Sequence, residues 1–243
     1  MRSLTRRGRV LSAATVAVLT SAALIAASAT GAQGRSSVQA APAVKSGITL
    51  NGVKDVTALL KGIPQAGAWL GNESAPIQLV VFADLQCPFC KKFDRDVMPT
   101  VVKEYVRTGK IRVFFAGMDF VGPDSVRGLK AVAAAADQNR LWHVVQLLYA
   151  NQGEENKGWL SEKLVAAVAK ATPGLDARKL DTARKGKVVE SRMATWQQLS
   201  SSAGVNSTPT FFAGTKGKLG RLAVTALEIG QFRKALNTLI NAK

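Results

Sequence analysis

The sequence predicts an α/β domain interrupted by a helical insertion, and three features carry that prediction. The run Ile77-Gln78-Leu79-Val80-Val81-Phe82 is apolar and β-branched, as in strands buried on both faces of a sheet. A second run, Ile111-Arg112-Val113-Phe114-Phe115, follows an amphipathic stretch, giving a βαβ unit whose parallel strands need such a crossover. Purely helical periodicity over about eighty residues then separates this unit from the next strand signal, near Phe211.

From the N-terminus, Arg2, Arg6, Arg7 and Arg9 stand without an acid, and Val10 to Gly34 carry no charge. These are the n-region and h-region of an export signal. Ala27-Ser28-Ala29 places small residues where a signal peptidase cuts, with weaker points at Val38-Gln39-Ala40, so residues 1–29 read as a signal peptide cleaved between Ala29 and Ala41. The competing reading is an uncleaved anchor over residues 10–34, long enough for about 30 Å of hydrocarbon but diluted by Ala, Ser and Thr. Arg6-Arg7 hints only weakly at a twin-arginine route, because Arg9 stands where that pattern wants a bulky apolar residue. No cysteine lies near the cut, which excludes a lipidated N-terminal Cys. Residues 30–46, poor in bulky groups, read as a flexible linker, and the folded domain as residues 47–243.

Within that domain Ile48 to Val53 predicts a short strand, and Val56, Leu59, Leu60 and Ile63 recur at helical spacing until Pro64. Asp84-Leu85-Gln86 leads out of the first long strand into Cys87-Pro88-Phe89-Cys90. Phe89, Phe93, Val97 and Val101 follow at i+4 steps, so the cysteines open an amphipathic helix that Pro99 should kink or restart. Beyond Gly122-Pro123, apolar stripes at Leu129 to Ala136, Leu141 to Leu148 and Leu160 to Val168, then Leu180 to Leu199, place the helical insertion at about 123–203. A strand at Thr208 to Phe212, a turn at Gly214 to Gly217, a strand through Leu219 to Val224 and a helix from Ile229 to Ile240 complete a ββα half.

The 243 residues are 47% hydrophobic and 20% charged, which fits a globular core and excludes disordered or collagen-like chains. Lys and Arg number 33 against 16 acids, a formal charge of +17 that falls to +13 without residues 1–29. Such a balance suggests nucleic acid, an anionic membrane or an acidic partner. The basic residues are scattered, as in Lys91-Lys92, Lys185-Gly186-Lys187 and Lys216-Gly217-Lys218, without interleaved aromatics. A solvated face is the better account, and nucleic acid is not an expected partner. Contact with an anionic surface stays open, and a basic module binding envelope polymers or nucleic acid is the reading from another functional class.

Cys87 and Cys90 are the two cysteines of the chain and His143 its one histidine, which excludes a disulfide-dense scaffold and argues against a self-contained zinc site. No metal ligands are assigned. A Cys-x-x-Cys that follows a buried strand and opens a helix sets the first sulfur beside unsatisfied backbone N–H groups at the positive end of the helix dipole. Cysteines so placed have pKa values from about 3.5 to 7.5, against about 8.5 for a free thiol. Cys87 is therefore expected to be the exposed nucleophile. Pro88 suits the first helical turn, where a missing N–H costs nothing. Cys90, one turn in, can attack a mixed disulfide at Cys87, so the pair is expected to be a redox-active disulfide that needs no cofactor. A merely structural disulfide is the bland alternative, yet closing so short a loop restrains little of the unfolded chain. Metal binding is the weaker alternative, and His143, between Trp142 and Val144, reads as a packed or half-exposed helix residue.

The order of strand, Asp84-Leu85-Gln86-Cys87-Pro88-Phe89-Cys90, helix and long insertion, then Val205-Asn206-Ser207-Thr208-Pro209-Thr210-Phe211-Phe212, resembles the DsbA-like branch of the thioredoxin superfamily. The likeness is greatest to its exported Gram-positive thiol-disulfide oxidoreductases and covers roughly Gly47 to Lys243. It implies a thioredoxin-like fold, a cis bond before Pro209 lying against the active-site disulfide, and backbone hydrogen bonds from Thr208 to the substrate chain. It also implies an oxidase forming disulfides in exported cysteine-containing proteins, secreted or held at the cell envelope, monomeric, and recycled by a membrane redox partner. The same residues in the opposite poise would make a reductase or isomerase. The departure is Phe89, where strong oxidases of this family have histidine. Its ring neither donates a hydrogen bond to the Cys87 sulfur nor supplies charge, which makes Pro88 and Phe89 the tuning residues.

Overall fold

The structure is a computed structural model, and it describes residues 48–242. The signal peptide or anchor and the 30–46 linker lie outside the described residues. Among those described, no helix is long and apolar enough to cross a membrane.

The strand expected at Ile48 to Val53 does not form. Gly52 takes a left-handed φ of 78°, which breaks any extended run, and α1 (Val53–Leu60) starts behind it with Val56 and Leu60 buried. A hairpin with no counterpart in the sequence reading follows, β1 (Gln65–Ala66) and β2 (Trp69–Leu70), too short to show alternation. Trp69 stands opposite Phe114 with ring centroids 4.8 Å apart, and the Arg112 guanidinium lies 4.0 Å from the Trp69 ring.

The buried run becomes β3 (Ile77–Asp84), with every residue covered. It pairs in parallel with β4 (Ile111–Met118) and antiparallel with β5 (Thr210–Thr215), in a six-stranded sheet ordered β1-β2-β4-β3-β5-β6. β6 (Lys218–Arg221) leaves the sheet three residues before the expected end at Val224. Between β3 and β4 run α2 (Pro88–Asp96), a break at Val97, and α3 (Met98–Val101), which passes into a π-helical turn at Val102–Val106. The restart falls at Pro99, which has no N–H to continue the first helix.

Five helices fill the chain between β4 and β5: α4 (Pro123–Ala136), α5 (Leu141–Ala150), α6 (Glu162–Ala171), α7 (Ala177–Ala183) and α8 (Lys187–Ser202). Ser161 caps α6 and Asp176 caps α7 through their side-chain oxygens. Trp142 of α5 and Trp196 of α8 meet Phe115 of β4 edge-on, at 6.0 and 5.8 Å. A second aromatic cluster joins Phe93 of α2, Phe211 of β5 and Phe232 of α9 (Ile229–Asn241), with centroids 4.7 to 5.3 Å apart. Burying several such rings fixes where α2 sits on the sheet, and with it the cysteines at its start.

Candidate active site

The reactive turn begins where β3 ends. The Cys87 N–H donates to the Asp84 carbonyl at 3.2 Å, Cys87 takes the N-cap position with φ −65° and ψ 122°, and Pro88 occupies the first helical position of α2. The cap places the Cys87 sulfur among the free N–H groups of the first turn. Both thiols are unbonded to each other in this structure and both are buried, Cys87 at 6% exposed and Cys90 at 1%. The open nucleophile expected from sequence is thus recessed. It remains the more reachable of the two, and its Sγ lies 3.4 Å from the Thr208 carbonyl oxygen.

Environment drives the two thiols apart. Cys87 is brought down to about 6, first by the Cys90 side chain, then by the Thr208 side chain and the backbone N–H groups of Cys90 and Phe89, with burial opposing. Cys90 moves the other way, well above an ordinary thiol, because of its own burial and its donation to Cys87. One sulfur is poised as a thiolate at neutral pH and the other as a thiol. Phe89 acts on the sulfur through its backbone N–H, while its ring is 62% exposed. Thr208 and Pro209 close the other side of the site, and the bond between them is cis.

The helices and loops between β4 and α6 hold this turn by hydrogen bonds. Asp84 accepts from Gln86 N, Val121 N and Ser125 Oγ at 2.7 to 2.9 Å. Ser125 Oγ in turn accepts from Gln86 Nε2, and Asn156 both accepts from and donates to the Gln86 amide. Tyr149 donates to the Asp84 carbonyl, and Gln152 to the carbonyls of Leu85 and Cys87. Burial raises the Asp84 carboxyl, and its three donors limit the rise. Of the side chains in this network only those of Asp84 and Gln86 adjoin the motif in sequence. The signals for Ser125, Tyr149, Gln152 and Asn156 are isolated polar side chains in otherwise apolar or turn segments.

Asp94, one turn beyond Cys90, has no counterpart in the sequence reading. It lines a groove of about 830 Å³ between α1, α2 and α5, together with Gln146, Tyr149 and Leu59. Burial pushes its carboxyl up to about 7, with the Gln146 side chain opposing, and Gln146 Oε1 is buried without a partner. His143 lies elsewhere: its Nδ1 is 3.0 Å from Gln65 Nε2 beside the β1 hairpin, and burial lowers it to about 4. Among the described residues no group of three or more His, Cys, Asp or Glu side chains is placed to share a metal ion.

A dithiol at the head of a helix, set on a central parallel βαβ unit and faced by a cis-proline loop, defines a protein of thioredoxin-like fold. The family model described as thioredoxin matches residues 65–230, and the chain belongs to that family. The probable disulfide bond formation protein D of Bacillus cereus is 33% identical over 103 residues, 42% of this chain and 48% of that protein. Disulfide bond formation protein D of Bacillus subtilis is 26% identical over 151 residues, 60% of this chain and 67% of that protein. The chain thus spans about half the length of the first of these curated relatives. Among solved structures, oxidised BdbD from Bacillus subtilis superposes with a TM-score of 0.63 at 20% identity, covering 74% of this chain and 97% of that one. The alpha-DsbA1 of Wolbachia pipientis gives 0.61 at 18% identity, covering 75% and 93%. At these identities the superpositions speak for the fold.

Proposed function

We propose that this protein is an exported thiol-disulfide oxidoreductase working as an oxidase, which passes its Cys87–Cys90 disulfide to cysteine-containing client proteins. One observation carries the direction: the Cys87 thiol is brought down to about 6 while Cys90 is pushed up. A stabilised thiolate favours the reduced dithiol, and so makes the disulfide a stronger electron acceptor. In the forward step a client thiolate attacks Cys87 Sγ, the Cys87–Cys90 bond breaks, and the electron pair leaves on Cys90, which takes up a proton. A second client thiolate then attacks the client sulfur of the mixed disulfide and releases Cys87 as the thiolate. The client loses two electrons and the protein gains them. Thr208 and Pro209, at the mouth of the site, form the surface against which the client chain lies.

The names of the Bacillus relatives support disulfide formation as the activity. The basic and apolar N-terminal sequence supports work outside the cytoplasm, where thiols stay oxidised. The reduced dithiol is then returned to the disulfide by a membrane redox partner. The test is the reduction potential against glutathione. A value above about −200 mV is expected of an oxidase, and one near or below about −270 mV would assign the site to the reductase reading.

Phe89 gives a second measurement. The thiolate absorbance of wild-type protein is expected to titrate near 6. Phe89→His should lower that midpoint by placing a donor or cation near the sulfur, and each unit of lowering makes the disulfide about 30 mV more oxidising. An unchanged potential with weakened client binding would leave the ring as a recognition surface alone.

A further inference from the structure

From the groove that leads away from the cysteines, we infer that the protein selects client segments carrying an acidic side chain beside an apolar one, within a few residues of the reacting cysteine. This rests on the oxidoreductase reading above and adds to it the chemistry of the preferred client. The groove measures about 370 Å³. One wall is the first two turns of α2, with Phe89 and Lys92, and the other combines Pro209 with the end of β6 and the chain leaving it, at Arg221, Leu222 and Val224. Phe89 is the most exposed large apolar side chain among the described residues, and it borders this groove directly beside Cys87. An apolar client side chain has its partner there.

The charge of the groove is one-sided. Lys92 stands on one wall and Arg221 on the other, and no acidic residue lines it. Lys92 Nζ does bond Asp96 at 2.8 Å, but Asp96 also takes the Arg95 guanidinium at 2.6 Å. The Lys92–Asp96–Arg95 cluster is net positive, and Lys92 is its one member on this groove, since Arg95 faces the groove between α1, α2 and α5. Arg221 forms no ion pair among the described residues, and its guanidinium reaches only the Thr210 hydroxyl, at 3.4 Å. Glu228, the next residue after Leu227 at the groove's far end, is exposed and outside the lining. A client carboxylate thus meets two cations across the groove, and a client lysine meets repulsion from both. At exposed positions such a contact changes affinity by about threefold for each cation, and the effect fades as salt screens it.

The experiment is turnover of a peptide set, each peptide carrying the same two cysteines and one neighbouring phenylalanine, with Asp, Asn or Lys at each of the three positions on either side of the first cysteine. Wild-type oxidised protein at low ionic strength is expected to show a kcat/KM ratio of Asp to Lys peptide of about tenfold at the best position. The ratio should fall to about threefold in Arg221→Gln, approach one in the Arg221→Gln, Lys92→Gln double variant, and shrink toward one at high salt. In competition, with the first cysteine of each peptide supplied as its mixed disulfide with glutathione and the second replaced by serine, the Cys87 thiolate of the Cys90→Ser protein should displace glutathione from the Asp peptide ahead of the Lys peptide. Full turnover with a ratio near one, or a ratio that the double variant leaves intact, would overturn the charge selection and leave the oxidase reading standing. Absence of oxidation of every peptide by the wild type would overturn both.

Discussion

Cys90→Ser protein is expected to accumulate as a mixed disulfide with client chains, and Cys87→Ser protein to form none, each losing turnover by a factor on the order of 10³ or more. The difference follows from what surrounds each sulfur. Cys87 is lowered to about 6, so much of it is thiolate at neutral pH, and it lies at the mouth of the site beside Thr208. Cys90 is 1% exposed and held as the thiol, so no client sulfur reaches it and it is a poor nucleophile until Cys87 is occupied. Serine at 90 keeps a hydroxyl near the Cys87 sulfur but has no sulfur with which to displace the client. Serine at 87 removes the attacking atom and leaves a buried thiol behind it. Non-reducing electrophoresis of each variant after incubation with a client whose cysteine is supplied as its mixed disulfide with glutathione reads the outcome directly: the Cys87 thiolate takes the client sulfur and glutathione leaves as the thiolate. Equal trapping by the two would reverse or dissolve the assignment of roles.

Asp94→Asn protein is expected to be more stable than the wild type at pH 8 and indistinguishable from it at pH 4. The folded carboxyl sits at about 7, whereas an unfolded chain returns it to about 3.9. Between those values the folded state binds more protons than the unfolded one, so wild-type stability falls as the pH rises through the window and reaches its full cost above 7. Three units correspond to about 4 kcal/mol, and water entering by the groove reduces the figure to on the order of 2 kcal/mol. Asparagine carries no charge to desolvate and keeps an oxygen that accepts from the Gln146 side chain. A gain of roughly 5 °C in Tm at pH 8, shrinking to nothing at pH 4, is the expected pattern. A difference independent of pH would show that repacking of the groove, and not the carboxyl, governs the change.

The parts of this site that follow from local chemistry were legible from the residues alone. A β-branched run, a cap position and an i+4 apolar stripe each report on their own neighbourhood, and they locate β3, Cys87 and α2 closely. Thr208-Pro209 lies 121 positions from Cys87, and only the resemblance to a family joined the two. Three things stayed hidden for distinct reasons. The β1–β2 hairpin has two residues per strand, too few for a period to show. Asp94 falls at a polar position of the α2 pattern, and nothing in that pattern tells that α1 and α5 will cover it. The hydrogen bonds from Ser125, Tyr149, Gln152 and Asn156 depend on how separate helices dock, which single-sequence periodicity does not encode. Conversely, the strand expected at Ile48 to Val53 shows a local preference overruled, since Gly52 turns the chain and Val56 and Leu60 find their partners only from a helix.

The antiparallel pairing of β3 with β5 also sets a timetable for the protein's own biogenesis. β3 and its cysteines precede β5 by the whole helical segment, so a chain that lengthens from its N-terminus carries both thiols long before Thr208 exists to face them. Until the intervening helices have assembled and the late strand has docked, Cys87 lacks the Thr208 side chain, and α2 lacks the Phe211 ring that packs on its Phe93. Cys87 is then a thiol of an unfinished polypeptide, without the full set of donors that brings it down in the folded chain. The lowered thiol arrives with completion of the sheet, so on the oxidase reading proposed above the chain would oxidise others only once it is itself folded.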